Sequence, residues 1–114
     1  MGSRKPPGTL VQGTLDMLIL ARLARGPAHG FGIAEDVRRV SDEVLRIEEG
    51  SLYPALQRLE SQGLITSSWG TSDNNRRARY YELTPRGRKQ VGAEVSRWRQ
   101  LVRAIDRVIE AEGT

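Results

Sequence analysis

The apolar residues of this chain recur with helical spacing in some segments and with strand character in others. Residues 10–23 are apolar on almost every side, which is typical of a buried helix, and Gly26 and Pro27 end it because proline cannot continue helical hydrogen bonding. In residues 31–40 apolar side chains share one face, which predicts a short second helix. A connection rich in acidic residues, 41–50, then leads to a third helical segment.

The third helical segment has two chemically different faces. Advancing 100° per residue gathers four aliphatic side chains on one arc, which is predicted to pack in the core. Ser51 is predicted to cap the amino end, with Pro54 in the first turn, and Gly63 to end the helix. The aliphatic arc contains Leu52, Ala55, Leu56 and Leu59, and the opposite arc contains Tyr53, Pro54, Gln57, Arg58 and Ser61.

Two short segments with strand character follow, joined by turn-forming residues. Residues 64–69 and 78–83 contain β-branched and aromatic side chains, and residues 70–75 read GTSDNN, which predicts a β-hairpin with a polar tip. A hairpin would present the arginines at the base of this tip to solvent without burying their charge. They are Arg76, Arg77 and Arg79.

The last helix is predicted to be the longest. Thr84 and Pro85 supply an N-cap and a first-turn proline, and a helix of about 28 residues would be about 42 Å long. Apolar residues recur at alternating gaps of four and three, as in a coiled-coil seam, and a helix of this length exceeds what a small domain can cover. We therefore expect it to pair with a second copy of the chain. The seam contains Val91, Val95, Trp98, Val102, Ile105 and Ile109.

These elements predict a mainly α-helical fold with a small β-hairpin, in the order of a winged helix-turn-helix followed by a long C-terminal dimerisation helix. We expect residues 1–9 to be a disordered basic arm, residues 10–84 the winged helix-turn-helix DNA-binding domain, and residues 85–114 the dimerisation helix. In such a fold the third helix presents its exposed face to the major groove of DNA.

Composition limits the classes of function. The chain has 114 residues, enough for one domain, and its lack of cysteine excludes disulfides and thiolate metal sites and favours an intracellular, cytoplasmic location. No apolar run is long enough to span a membrane. With His29 as the single histidine and no G-x-S-x-G motif, the sequence predicts neither an enzyme nor a metal or cofactor site.

The net charge of +4 is concentrated in the middle of the chain. Residues 50–90 carry seven basic and three acidic side chains, whereas basic and acidic groups balance on either side of this segment. A polyanion would be attracted to it, although a solvated basic surface is the alternative.

The polar arc of the third helix suits a DNA duplex. Its hydroxyl, amide and guanidinium groups can bond base edges or phosphates, and the hairpin arginines can clasp phosphates or enter a narrow minor groove. In the alternative interpretation, the Tyr53 ring packs against a neighbour and Arg58 pairs with Glu60 or Glu49. The candidate helix contacts are Ser51, Tyr53, Gln57, Arg58 and Ser61.

Longer stretches of the sequence are similar to a known family. The runs GTLDMLILARLARGPAHGFGIAEDV, GSLYPALQRLESQGLI and RRARYYELTPRGR, followed by a long last helix, resemble the PadR family of transcriptional regulators over roughly residues 10–111. Without a larger C-terminal domain, the chain is similar to the short subfamily. The resemblance implies a homodimeric bacterial repressor that binds a two-fold symmetric operator, with the last helix and part of the first helix at the interface.

The family resemblance also implies DNA contacts at particular positions. The recognition-helix motif of a small residue, Leu, Tyr and Pro falls on residues 51–54, of which Leu52 is assigned to the core. The basic wing falls on the three hairpin arginines, and a His-Gly pair that opens the second helix falls on His29 and Gly30. The implied contacts are His29, Gly30, Ser51, Tyr53, Pro54, Arg76, Arg77 and Arg79.

An aromatic residue of the last helix raises the question of an effector. Some members of the family bind flat aromatic or cationic drugs between their two subunits, and Trp98 lies where such an aromatic residue would be. Packing in the seam is the other interpretation of Trp98.

The main rival function is a winged-helix module that binds an acidic protein partner, because the basic segment would attract either kind of polyanion. The sequence does not name the operator, the regulated genes or an effector, and it does not distinguish a repressor from an activator.

Overall fold

The computed structural model describes residues 12–112, which form four α-helices and a three-stranded antiparallel sheet. The expected N-terminal arm, residues 1–9, lies outside the described residues. Within residues 12–112, none of the helices combines the length and apolar character needed to cross a membrane. The elements are α1 (Gln12–Leu23), β1 (Ala28–His29), α2 (Gly30–Val40), α3 (Glu49–Ser61), β2 (Ile65–Thr71), β3 (Arg77–Leu83) and α4 (Pro85–Glu112).

The mainly helical fold with a β-hairpin is confirmed, and the sheet has one strand more than predicted. β2 and β3 pair with Ile65 opposite Leu83 and Trp69 opposite Arg79. The short strand β1 pairs with the other edge of β3, so that the strand order is β1-β3-β2. Two residues are too few for a periodic pattern to reveal a strand, which is why β1 was missed.

The core lies where α1 and α3 pack against the sheet. The aliphatic arc predicted for α3 is buried, with Leu56 at 0% and Leu52 at 2% exposure, and it meets the apolar side of α1. Tyr81 and Leu83 of β3 close the core from the sheet side. The buried aliphatic residues of α1 are Leu15, Ile19, Leu20 and Leu23.

The amino end of α3 differs from the prediction. Glu48 is its N-cap, without a side-chain cap bond, and the backbone N–H of Ser51 bonds the Glu48 carbonyl at 2.9 Å. Ser51 is therefore a helical residue and not the cap. Pro54 lies in the second turn, where its ring leaves the Gly50 carbonyl without the usual donor.

The carboxyl end of α3 follows the prediction. The helix ends at Ser61, and Gly63 adopts a φ of 77°, which favours glycine. The backbone N–H of Leu64 bonds the Leu59 carbonyl at 3.0 Å, and that of Gly63 bonds the Glu60 carbonyl at 3.0 Å. This bonding is the Schellman pattern, and it directs the chain into β2.

α4 has the 28 residues expected of it. Thr84 caps it, because its Oγ1 accepts the Gly87 backbone N–H at 3.0 Å. The same hydroxyl donates to the Gly63 carbonyl at 2.8 Å and so links the start of α4 to the end of α3. The first half of α4 packs on α1 with Val91 buried, and the second half extends away from the body of the domain.

Candidate nucleic-acid interface

The polar arc of α3 faces solvent in the single chain. Ser51, Tyr53, Pro54, Gln57 and Ser61 are all exposed, with Tyr53 at 43%. Each of them was predicted to contact DNA. The helix therefore has the outward polar face that contact with a duplex requires.

Tyr53 is held in place by the start of α2. A Cβ added at Gly30 would lie 2.7 Å from the Tyr53 hydroxyl oxygen, so the phenol ring passes directly over a residue that has no side chain. Tyr53 therefore packs one edge of its ring and keeps the rest exposed. The packing interpretation of this residue therefore holds in part, because the ring contacts a neighbour without being buried, and its contact with DNA stays a prediction.

His29 has a local structural contact that the resemblance did not specify. Its Nδ1 accepts the backbone N–H of Gly32 at 3.0 Å, which caps α2, so in this arrangement the ring proton is on Nε2. The ring also lies edge-on to Tyr80, with centroids 5.2 Å apart. His29 therefore fastens α2 to the sheet.

Arg58 makes a contact that neither sequence interpretation anticipated. Its Nη2 lies 2.5 Å from Oδ1 of Asp16 in α1, and both side chains are partly buried. Within the described chain its buried Nε has no hydrogen-bond partner. The pairing with Glu60 or Glu49 does not form, and the guanidinium is engaged with α1.

The β2–β3 hairpin forms the wing of this fold. Two of its arginines lie over an aromatic ring. The guanidinium carbon of Arg77 lies 4.4 Å from the Trp69 ring centroid, and that of Arg79 lies 5.4 Å from it. Arg76 is exposed in the turn before β3. Over residues 12–112, no carboxylate forms an ion pair with any of these three arginines.

The arginines of α1 and α2, in contrast, are paired within the chain. Arg22 lies 2.5 Å from Asp36, which also pairs with Arg39 at 3.2 Å, and Arg38 bonds both Glu35 and Glu43. The hydrogen bond from Arg22 is the main cause that holds the pKa of Asp36 below its ordinary value of 3.8. Asp36 is therefore ionised at neutral pH and offsets the charge of Arg22 and Arg39, whereas the wing arginines have no such partner.

Tyr53 of the polar arc and the three wing arginines border one cleft. With Trp69 they line an open space of about 960 Å³ between the wing and the amino end of α2. Tyr53 is the one residue of the polar arc that lines this cleft, and Ser51, Pro54, Gln57, Arg58 and Ser61 lie outside it.

A pair of hydrogen bonds joins the wing to α3. Ser67 of β2 donates its hydroxyl to Oε2 of Glu60 at 2.8 Å and accepts from Nε of Arg79 at 2.9 Å. Sequence reasoning missed Glu60, Ser67 and Trp69. The register of the hairpin could have indicated two of these residues. Trp69 lies opposite Arg79, and the alternation of side chains along a strand places Ser67 on the same face as Trp69.

The residues of the predicted seam divide into two groups. Val91 is buried in the core of its own chain and Val95 packs against that core, whereas Trp98, Ile105 and Ile109 are 43%, 47% and 59% exposed. Val102 is half-buried. Leu101 and Val108, which were not predicted, widen the exposed apolar stripe of α4.

A shallow cavity lies between α1 and the middle of α4. It has a volume of about 460 Å³ and opens beside Trp98. Its apolar lining residues are Met17, Leu18, Ala21, Val95, Trp98 and Val102.

Comparison with known proteins associates this geometry with one family. A family model described as the transcriptional regulator PadR-like family matches residues 19–93. A transcriptional regulator of Mycobacterium tuberculosis is 32% identical over 87 residues, which are 76% of this chain and 78% of that protein.

Solved structures agree with the sequence comparison. A transcriptional regulator from Clostridium thermocellum is similar with a TM-score of 0.76 and 33% identity, over 84% of this chain and 90% of that one. A PadR family transcription regulator from Clostridium difficile is similar with a TM-score of 0.73 and 30% identity, over 83% of this chain and 97% of that one.

Proposed function

Because the chain belongs to the PadR-like family of transcriptional regulators and is thus a DNA-binding regulator, we propose that it acts as a homodimeric repressor of a two-fold symmetric operator. One observation carries the proposal. Tyr53, which is exposed on the polar arc of α3, and the unpaired arginines of the wing border the same cleft, as simultaneous contact with base edges and phosphates requires.

We assign the direct contacts to two groups of residues. Tyr53, Gln57 and the two serines of α3, with Pro54 beside them, enter the major groove, and the wing arginines contact the backbone or the adjacent minor groove. His29 approaches the duplex from the start of α2, whereas Gly30 is buried under the Tyr53 ring and acts by leaving room for that ring. Arg58, held by Asp16, serves to join α1 to α3 and takes no part in reading bases.

The exposed stripe of α4 supports assembly as a dimer. Five large apolar side chains with exposures between 43% and 63% follow one another along a helix that the domain does not cover. Burial of such side chains is the main favourable contribution to association, and a second copy supplies the same stripe. The residues are Trp98, Leu101, Ile105, Val108 and Ile109.

The function is tested first by sequence discrimination. Genomic fragments retained by the purified protein would give the operator, and we expect the operator to bind at least about a thousandfold more tightly than a random duplex. An acidic protein partner, the rival function, would leave both duplexes weakly bound. Equal affinity for the two would contradict the proposal.

Substitution of Gln57 and Arg58 then separates base reading from support of the fold. Gln57→Ala should weaken operator binding by about 1 to 3 kcal/mol and relax preference at one base pair, because an exposed amide is lost. Arg58→Ala should instead lower the free energy of unfolding by about 1 to 3 kcal/mol, because it leaves a partly buried Asp16 unpaired. Binding to a panel of operator variants and thermal unfolding measure the two effects.

Asp16→Asn is the matched variant for this contrast. It breaks the same ion pair from the α1 side, away from the polar arc, and should reproduce the stability loss of Arg58→Ala without changing base preference. If Arg58→Ala relaxed base preference and Asp16→Asn did not, Arg58 would be a base contact after all.

We further propose that a planar aromatic compound releases the protein from DNA by binding beside Trp98. The cavity between α1 and α4 supplies one apolar wall, and the facing copy of α4 would supply the other. Titration of such compounds should change Trp98 emission in a saturable way and lower operator affinity, in a Trp69→Phe background that leaves a single tryptophan. Emission that is unchanged by every compound would favour plain packing of Trp98 in the seam.

A further inference from the structure

Contacts within the wing distinguish between two arginines that the sequence treats alike. Arg79 is held on two sides, by the Ser67 hydroxyl at 2.9 Å and by the face of the Trp69 ring. Arg77 stacks on the same ring, and no hydrogen bond or ion pair joins its guanidinium to any other described side chain. Arg77 is thus free to bond a phosphate, while the Nε donor of Arg79 is already engaged.

The bonds of Arg79 continue into the recognition helix. Ser67 donates its own hydroxyl to Oε2 of Glu60, so two consecutive hydrogen bonds, which we call the relay, link the guanidinium on β3, the hydroxyl on β2 and the carboxylate on α3. Each bond has one charged partner, which makes it stronger than a bond between two neutral groups. β1 pairs only with Tyr80 and Tyr81, so the outer part of the hairpin has no third strand to limit its tilt relative to α3.

We propose that Glu60, Ser67 and Arg79 are positioning residues that fix the wing relative to α3, so that Arg77 meets a phosphate at a set distance from the bases read by α3. The proposal rests on the proposed function. A preorganised wing avoids the loss of side-chain and loop freedom on binding, and it makes the phosphate contact depend on correct docking of α3. Glu60 and Ser67 would therefore contribute to specificity without touching DNA.

Glu60 has a second, opposing effect that makes the proposal testable. Its negative charge lowers the positive potential of the surface that meets the duplex, so removal of that charge should strengthen binding to any sequence. Loss of its bond to Ser67 should release the wing. Glu60→Gln removes the charge and keeps an oxygen that can accept the Ser67 hydroxyl, whereas Glu60→Ala removes both.

We expect the two variants to differ in discrimination. Glu60→Gln should bind operator and random duplex more tightly by a similar factor of about two to five, with their ratio unchanged. Glu60→Ala should gain affinity for random duplex and lose about three- to tenfold in the ratio of operator to random binding. A variant that merely loosened the fold would bind both duplexes less well.

Ser67→Ala tests the relay without a change in charge. It should lower operator affinity about three- to tenfold and leave the salt dependence of binding unchanged, because no phosphate contact is lost. Arg77→Ala should instead reduce the slope of log affinity against log salt concentration by about one per subunit. Ser68→Ala is the matched control, since Ser68 is exposed on the other face of β2.

The pose of the wing can be followed without DNA. In a Trp98→Phe background, the emission of Trp69 and its quenching by iodide should change in Ser67→Ala and Glu60→Ala but not in Ser68→Ala or Glu60→Gln. Equal quenching and equal operator affinity in Ser67→Ala and Ser68→Ala would overturn the proposal. Failure of the wild type to discriminate between duplexes would overturn the proposed function instead, and the emission result would still report on the relay.

Discussion

Ile105→Asp is expected to convert the protein to monomers and to weaken operator binding by about two to four orders of magnitude. Ile105 is 47% exposed in the single chain, so the aspartate stays hydrated in a monomer and would be buried only when a second α4 packs against it. Loss of the dimer separates the two recognition helices, and each half-site must then be bound without the effective concentration that the linkage provides. Sedimentation and operator binding measure the two consequences.

The exposure of Ile105 also makes this substitution a cleaner test than one at Val91 or Val95, which pack in or against the core of the same chain. Gln100→Asp introduces the same charge on the opposite, exposed side of α4 and should leave assembly and binding unchanged. A wild-type protein that sediments as a monomer at micromolar concentration, or an Ile105→Asp variant that remains dimeric, would show that α4 is not the interface.

Helical periodicity accounts for what the sequence predicted well. The division of α3 into an aliphatic arc and a polar arc depends only on the 100° rotation between neighbouring residues, and both arcs lie where that rotation placed them. The length of α4 and its Thr84 cap were likewise set by local signals. Such features can be predicted from the sequence because they depend on residues that are close together along the chain.

The features that the sequence did not reveal depend on residues far apart. Arg58 and Asp16 are 42 positions apart, and nothing in either segment indicates that α1 would offer a carboxylate to α3. Ser67 and Arg79 meet only through the register of the wing, and β1 exists only because β3 has a free edge beside it. The prediction of Ser51 as the N-cap was wrong because the helix begins two residues earlier, at Glu49.

Gly87→Ala is expected to lower the free energy of unfolding by about 3 kcal/mol or more, which would reduce the melting temperature by roughly 10 °C or more. A Cβ at this position would lie 2.0 Å from the Leu64 carbonyl oxygen and 2.9 Å from the Leu64 carbonyl carbon. The obstacle is backbone, so rotation of a side chain cannot relieve it. The Leu64 carbonyl also accepts the Thr84 N–H at 3.0 Å, and the clash would therefore force α4 away from the point where α3 leads into β2.

Gly92→Ala is the matched control on the same helix, and its effect on stability should have the opposite sign. Its Cβ would have no atom within 4 Å, so the substitution should stabilise the protein by about 0.5 to 1 kcal/mol through helix propensity alone. Helix propensity favours alanine at both positions. The difference in the free energy of unfolding between the two variants therefore reports the close approach of α4 to Leu64. Thermal unfolding of the two variants in parallel tests this prediction. If Gly87→Ala were as stable as Gly92→Ala, α4 would not be seated against the segment between α3 and β2, and the structural link from α4 to α3 would be lost.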